Sequence, residues 1–370
     1  MEPLKYIYSD KFISALSQSL VFAYQELDAK GFKKEIFSSP WENLELKERM
    51  SRISDTIIEF LPKDLDLLFP ILKDTIDHLR KEGTQDFNFA HMFFPEIVQK
   101  AGLSDFEKSM KALEFITVFA SAEFAIRSFY LHYPEKTNKQ MLSWSKHKHP
   151  MVRRLASEGS RPLLPWAMGV PDIKKRPEQS LTILENLWDD ENEIVRRSVA
   201  NHLNDISKIN PDITWSFCKP KFGKSKETDK SLKHALRTLL KKGNKEILSA
   251  YSYDIKWKPT KLQLKLPAKE VSVGKKLEFE IKVFHKEKKS KKIRTEYVVS
   301  FLLANGKWGN KVFQLGDKEL VPGETLEIKK SHSFAPITTR TYYPGKHQLT
   351  IVINGNEVAK QSFELKKGKK

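Results

Sequence analysis

Hydrophobic positions change their spacing once along this chain. Up to about residue 257 they recur every three or four residues, the spacing of amphipathic helices, as in Asp64-Leu-Asp-Leu-Leu-Phe-Pro70, 106–132 and 179–188. Beyond that point short segments alternate instead: Lys261-Leu-Gln-Leu-Lys-Leu266, Leu277-Glu-Phe-Glu-Ile-Lys-Val-Phe284, 295–303, Thr325-Leu-Glu-Ile328, 347–353 and Ser362-Phe-Glu-Leu365. Turn-forming pairs such as Asn305-Gly306, Pro322-Gly323 and Pro344-Gly345 separate them. About seven short strands in such a stretch predict an immunoglobulin-like β-sandwich built without a disulfide. Lys256-Trp257-Lys258-Pro259 marks the junction, so the expected division is 1–257, helical, and 258–370, all-β.

The helical part contains a repeat. Val152-Arg-Arg-Leu-Ala-Ser-Glu158 aligns with Val195-Arg-Arg-Ser-Val-Ala-Asn201, each after a turn-like polar stretch (His147–Pro150 and Asp189–Asn192). The spacing suits HEAT-type helix pairs, which stack into a solenoid with a concave face. Lys233–Lys242 is a weaker third copy. Helical geometry turns Val152, Leu155 and Ala156 to the core and places Arg154, Glu158 and Arg161 together on another face. Arg197, Asn201 and Asn204 or Asp205 take the equivalent places. Arginines spaced by one helix pair suit successive phosphates. An ordinary surface ion pair between Arg154 and Glu158 accounts for the same residues.

Two further features carry candidate chemistry. Glu123 interrupts Phe115-Ile-Thr-Val-Phe-Ala-Ser-Ala-Glu-Phe-Ala-Ile-Arg127, read as an otherwise apolar helix; it either pairs with Arg127 one turn on or stands in a cleft. Gly159-Ser-Arg-Pro162 ends a helix and leads into a proline-stiffened loop. Its Arg161 and Trp166 suit stacking on a sugar or base, while a core tryptophan pinning two repeats is the bland alternative. Phe87-Asn-Phe-Ala-His91-Met-Phe-Phe94 reads as a buried aromatic segment. Glycine-rich phosphate loops, His-x-x-x-His pairs and Gly-x-Ser-x-Gly elbows are missing, and His147 and His149 would diverge on a helix. No metal and no cofactor are expected.

Charge sharpens the choice of partner. The chain has 65 Lys+Arg against 47 Asp+Glu, a formal net charge of +18. The excess is segregated: 25 basic and 11 acidic residues follow position 257, whereas residues 1–140 carry 18 basic and 22 acidic. Lys286-Glu-Lys-Lys-Ser-Lys-Lys292 is the densest run, and Lys286, Lys288, Lys289, Lys291 and Lys292 are the expected phosphate contacts of the tail. A polyanion is therefore the expected partner. Membrane binding is disfavoured, because no amphipathic helix with bulky apolar residues adjoins the run. The longest uncharged apolar stretch, 115–122, is too short to cross a bilayer, and the first residues lack a signal-peptide pattern. The one cysteine, Cys218, permits no internal disulfide and fits a reducing compartment. A cytoplasmic monomer is expected.

With those residues in view, Arg153-Arg-Leu-Ala-Ser-Glu-Gly-Ser-Arg-Pro-Leu-Leu-Pro-Trp166-Ala and Val195-Arg-Arg-Ser-Val-Ala-Asn-His-Leu-Asn-Asp205 resemble the AlkC family of alkylpurine DNA glycosylases. Ser121-Ala-Glu-Phe-Ala-Ile-Arg127 fits the same pattern. The resemblance implies a HEAT-like helical glycosylase domain related to AlkD, with the immunoglobulin-like domain that some members add. It implies hydrolytic excision of cationic N3-methylated bases from double-stranded DNA: 3-methyladenine, and in some members 3-methylcytosine or 1-methyladenine. By resemblance the catalytic carboxylates are Glu158 and Glu123, Trp166 stacks on the lesion's sugar, and Arg154 and Arg161 contact the backbone. It also implies that the base stays largely in the stack. A non-catalytic HEAT scaffold for nucleic acid or protein is the competing reading, and loss of base release in Glu158→Gln separates the two.

Overall fold

The computed structural model describes residues 2–368, which pack as two compact units that divide between Ala235 and Leu236. Among the described residues there are 16 α-helices, all before residue 251, and eight strands, all after residue 260. None of these helices is long and apolar enough to cross a membrane.

In the first unit helix starts follow local chemistry. Ser9, Asp28, Asp105 and Asn192 each accept a backbone N–H from the first turn that follows, satisfying a donor with no partner inside the helix. The two aligned repeats become the helices Pro150–Gly159 and Glu193–Ile209. Each begins from the predicted polar stretch, capped by His149 and Asn192. Val152, Leu155 and Ala156 are buried, as are Val195 and Val199, and the two helices pack on each other. Pro150–Gly159 also packs on Phe106–Phe119. Gly159 permits the approach of the next element: a Cβ there would stand 2.6 Å from Ile126 Cγ2.

One expected helix is broken. The segment 106–132 is two helices, Phe106–Phe119 and Ile126–His132, with Ala120 in an extended conformation between them. Glu123 therefore stands in a tight connection rather than on a helix face.

The second unit contains β1 (Lys261–Lys265), β2 (Glu270–Ser272), β3 (Lys276–Phe284), β4 (Lys291–Leu302), β5 (Trp308–Leu320), β6 (Thr325–Ser333), β7 (Gly345–Ile353) and β8 (Asn356–Lys366). They form a three-stranded sheet, β1-β3-β6, and a five-stranded sheet, β2-β8-β7-β4-β5. All pairs are antiparallel except β2 with β8. Alternate residues of β3 (Leu277, Phe279, Ile281, Val283) meet Phe301, Ile351, Phe363 and Phe334 in one core.

This unit begins earlier than the strands do. Asn354 Nδ2 donates to Asp254 O (3.0 Å), Asn356 Nδ2 to Ile255 O (2.8 Å) and Lys292 Nζ to Tyr251 O (2.9 Å). Gly243 and Gly355, both at positive φ, meet backbone to backbone: a Cβ on Gly243 would lie 3.3 Å from Gly355 Cα. The helices Arg237–Lys241 and Lys245–Ala250 are thus part of the strand unit, although the pattern of the sequence changes only at 257.

Candidate active site

The repeat helices bring the predicted carboxylates into a buried network with arginines. Glu158, in the last turn of Pro150–Gly159, has a side chain only 8% exposed. Its Oε1 accepts from Arg161 Nη1 at 2.5 Å and its Oε2 from Ser198 Oγ at 2.6 Å. Arg161 turns its other edge to Asp205 Oδ2, with Nε and Nη2 both at 2.8 Å. One guanidinium so bridges two carboxylates, one from each repeat. Burial alone would lower the Arg161 pKa, but Glu158 and Asp205 hold it above its usual value.

Glu123 joins from the connection between helices. Its Oε2 accepts from Arg154 Nη1 at 2.8 Å and from the Ser121 hydroxyl, and Arg154 Nη1 also donates to Ser121 Oγ at 2.7 Å. Its Oε1 accepts no hydrogen bond among the described residues and the side chain is 13% exposed, so one carboxylate oxygen is left open. Burial opposes the charge on Arg154 too, but Glu123 and Glu158 raise its pKa above the usual value.

These contacts exclude two pairings that the sequence left open. Glu123 does not pair with Arg127, and Glu158 does not pair with Arg154. Instead Arg127 donates to three backbone carbonyls, Met168 O (2.7 Å), Gly159 O (3.2 Å) and Arg161 O (2.8 Å). It thereby ties together both ends of the loop that carries Trp166, and burial lowers its pKa to about 10. Arg154 and Arg161 are each held by buried carboxylates.

Trp166 is no core residue. It is 61% exposed and at positive φ (64°), its carbonyl held by Lys47 Nζ at 2.9 Å. The predicted buried aromatic segment divides. His91, Phe93 and Phe94 are buried, but Phe87 and Phe89 are 41% and 38% exposed and stand beside the network. Of the remaining predicted contacts, Arg197 is exposed and makes no ion pair among the described residues, while Asn201 Oδ1 meets His234 Nε2 at 2.9 Å. In the strand unit Lys286, Lys288 and Lys289 are exposed between β3 and β4. Lys291 is paired with Asp254 (2.7 Å) and Glu287 (3.3 Å), and exposed Lys292 donates to Tyr251 O.

Ser121, Ser198 and Ser157 were not legible as site residues. Ser198 Oγ bridges Ser157 Oγ (3.0 Å) and Glu158, and below them His202 Nδ1 meets Ser157 O at 2.9 Å. Burial, with help from Arg161, drops the His202 pKa to about 3, so the imidazole under Glu158 stays neutral. The predicted His147 and His149 act as backbone acceptors, for His149 N and Met151 N. Among the described residues no group of three or more His, Cys, Asp or Glu is placed to hold a metal ion.

A family model for DNA alkylation repair enzymes matches residues 100–239, which contain every member of this network. A second, for the C-terminal Ig-like domain of the uncharacterised protein YhaZ, matches 260–367. YhaZ of Bacillus subtilis (strain 168) is 38% identical over 365 residues, 99% of this chain and 100% of its own. Among solved structures, the Pseudomonas fluorescens alkylpurine DNA glycosylase AlkC, bound to DNA containing an abasic site analog, is 32% identical. It superposes with a TM-score of 0.89 over 99% of this chain and 100% of that one. A chain that matches along its whole length, helical repeats and Ig-like unit together, belongs to the AlkC family of DNA alkylation repair glycosylases.

Proposed function

We propose that this protein is a monofunctional DNA glycosylase that releases cationic methylated bases from double-stranded DNA: the N3-methylated 3-methyladenine and 3-methylcytosine, and the N1-methylated 1-methyladenine. The observation that carries the reading is the pair of carboxylates, Glu158 and Glu123, each fixed by an arginine and a serine, with exposed Trp166 on the loop that follows Glu158.

The chemistry follows from the charge of the lesion. A methylated, cationic base is already a good leaving group and needs no general acid. As the glycosidic bond breaks, positive charge passes to the deoxyribose. A carboxylate held in place before the reaction stabilises that cation without reorganising, a contribution of about 3–4 kcal/mol for one preorganised group. Glu158, clamped on both oxygens, takes this role. Glu123, with Oε1 open, orients the attacking water as a general base, worth roughly 10²–10⁴-fold. Trp166 adds cation–π attraction to the sugar. Arg154 and Arg161 keep both carboxylates aimed, and Arg197 with Lys286, Lys288 and Lys289 holds the phosphate backbone. Selectivity arises from the lesion's charge, so the base stays largely in the stack and no snug base pocket is required. A cytoplasmic monomer suits this work.

Mass spectrometry of the supernatant from methylated duplex DNA tests the reading. Free 3-methyladenine above the heat-released background, with an intact abasic strand left behind, is the expected result. Absence of any released base would overturn it.

A further inference from the structure

Phe87 and Phe89 lie outside every role assigned above, and their geometry is costly. Phe87 is at positive φ (59°), a region that aromatic residues rarely adopt. It is nevertheless held there: Phe87 N donates to Val118 O (3.3 Å) and Asn88 N to Phe119 O (2.9 Å), while Asn88 Oδ1 caps Ala90 N (2.9 Å). The loop is thereby pinned to the end of Phe106–Phe119, just before the connection that carries Glu123. Two large apolar rings are left in water by a rigid backbone, so burial does not explain them.

Their neighbours do. The Arg154 guanidinium carbon stands 4.9 Å from the Phe87 ring centre. The Phe89 ring meets Trp166 edge-on, 6.4 Å between centres at 60°. Trp166 is otherwise held through its backbone, by Lys47 on its carbonyl. We infer that the 87–89 loop is an aromatic brace, with Phe87 positioning Arg154 against Glu123 and Phe89 positioning the Trp166 ring toward the sugar. Both are positioning residues, acting through a neighbour. The cation–π contact restricts the guanidinium to the plane in which Nη1 meets Glu123 Oε2. The edge contact limits rotation of an indole that has little else around it. This rests on the proposed glycosylase reading for its kinetic consequences but not for its structural ones.

The test combines rates with a readout independent of catalysis. In single-turnover release of 3-methyladenine, Phe87→Ala and Phe89→Ala are each expected to slow the bond-breaking step about ten-fold, with DNA affinity changed less than about three-fold. Phe87→Tyr restores the rate and Phe87→Leu does not. In double-mutant cycles Phe87→Ala adds nothing to Arg154→Ala, and Phe89→Ala adds nothing to Trp166→Ala. Side-chain NMR of the free full-length protein supplies the second readout: the Arg154 Nε–H signal broadens or moves in Phe87→Ala, and the Trp166 indole N–H does so in Phe89→Ala. Unchanged signals, fully additive cycles, or a loss confined to DNA affinity would overturn the brace. A wild-type protein that releases no base would sink the glycosylase reading alone, since the NMR arm still decides this one.

Discussion

Both units bury an arginine among carboxylates, and the two clusters differ in a way that separates architecture from chemistry. In the strand unit Arg294 grips Glu296 at 2.7 Å, with Asp317 at 3.6 Å, and the Arg294 and Glu296 side chains are 2% and 1% exposed. Both pairing residues sit on β4, two apart, at a bulge in the β4–β5 register. In the helical unit Arg154–Glu123 and Arg161–Asp205 join separate elements, one carboxylate oxygen is open, and exposed aromatic rings stand at the edge. Burial of an ion pair therefore identifies nothing by itself, since such pairs serve structure as readily as function. An open acceptor beside exposed rings is the part that a substrate needs.

The comparison can be broken at several points. The largest effect belongs to the helical cluster: Glu158→Gln and Glu123→Gln are each expected to slow base release by roughly 10²–10³-fold while leaving DNA affinity within a few-fold. A variant that keeps its rate removes that carboxylate from the reaction.

Acid stability comes next. His91, packed among Phe12, Phe93, Phe94 and Phe119, has its pKa lowered by burial to about 4, and His202 has its own lowered to about 3. The unfolded chain takes up both protons near 6.5. Their contribution is complete above pH 6.5 and is lost as pH falls toward 4, costing about 3 kcal/mol for His91 alone. Urea unfolding of the wild type and His91→Leu at pH 7 and pH 5 reads this directly: the variant should lose part of the pH dependence, and equal slopes would contradict the assignment.

A smaller effect is expected in the basic loop. Replacing Lys286, Lys288 and Lys289 together by alanine should reduce affinity for undamaged duplex about ten-fold at low salt and flatten the log–log salt dependence by up to about 3. An unchanged slope would remove the loop from the interface. The smallest effect is the control for the whole comparison. Arg294→Met with Glu296→Leu should leave base release within about two-fold, because a buried pair replaced by packed apolar residues is often neutral or stabilising. Lost activity in a folded variant would merge the two clusters that the comparison separates.

The legible part of this molecule is the part written in local pattern. The repeat helices could be read because caps and apolar spacing sit within one turn of each other, and six strands could be read because one face alternates. β5 escaped because it is an edge strand with little buried beyond Leu320, and β2 because it spans three residues. The carboxylates and arginines of the buried network could be singled out from the sequence, whereas its serines and its wiring could not. Glu158, Glu123 and Trp166 carry a resemblance, but Arg154–Glu123 and Arg161–Asp205 join residues 31 and 44 apart in the chain. No periodicity relates such partners. The broken helix at Ala120 has the same origin, since the apolar run continues through Thr-Val-Phe-Ala-Ser-Ala while contacts from Arg154 to Ser121 and Glu123 fit the connection instead.

The central claim is that fixed carboxylates sense the positive charge of the lesion. Single-turnover release of 3-methyladenine and of neutral hypoxanthine from the same duplex position measures this most directly. The account predicts a rate for the cationic base at least about 10²-fold greater, the scale of one preorganised electrostatic contact. Comparable rates for the two bases would contradict it.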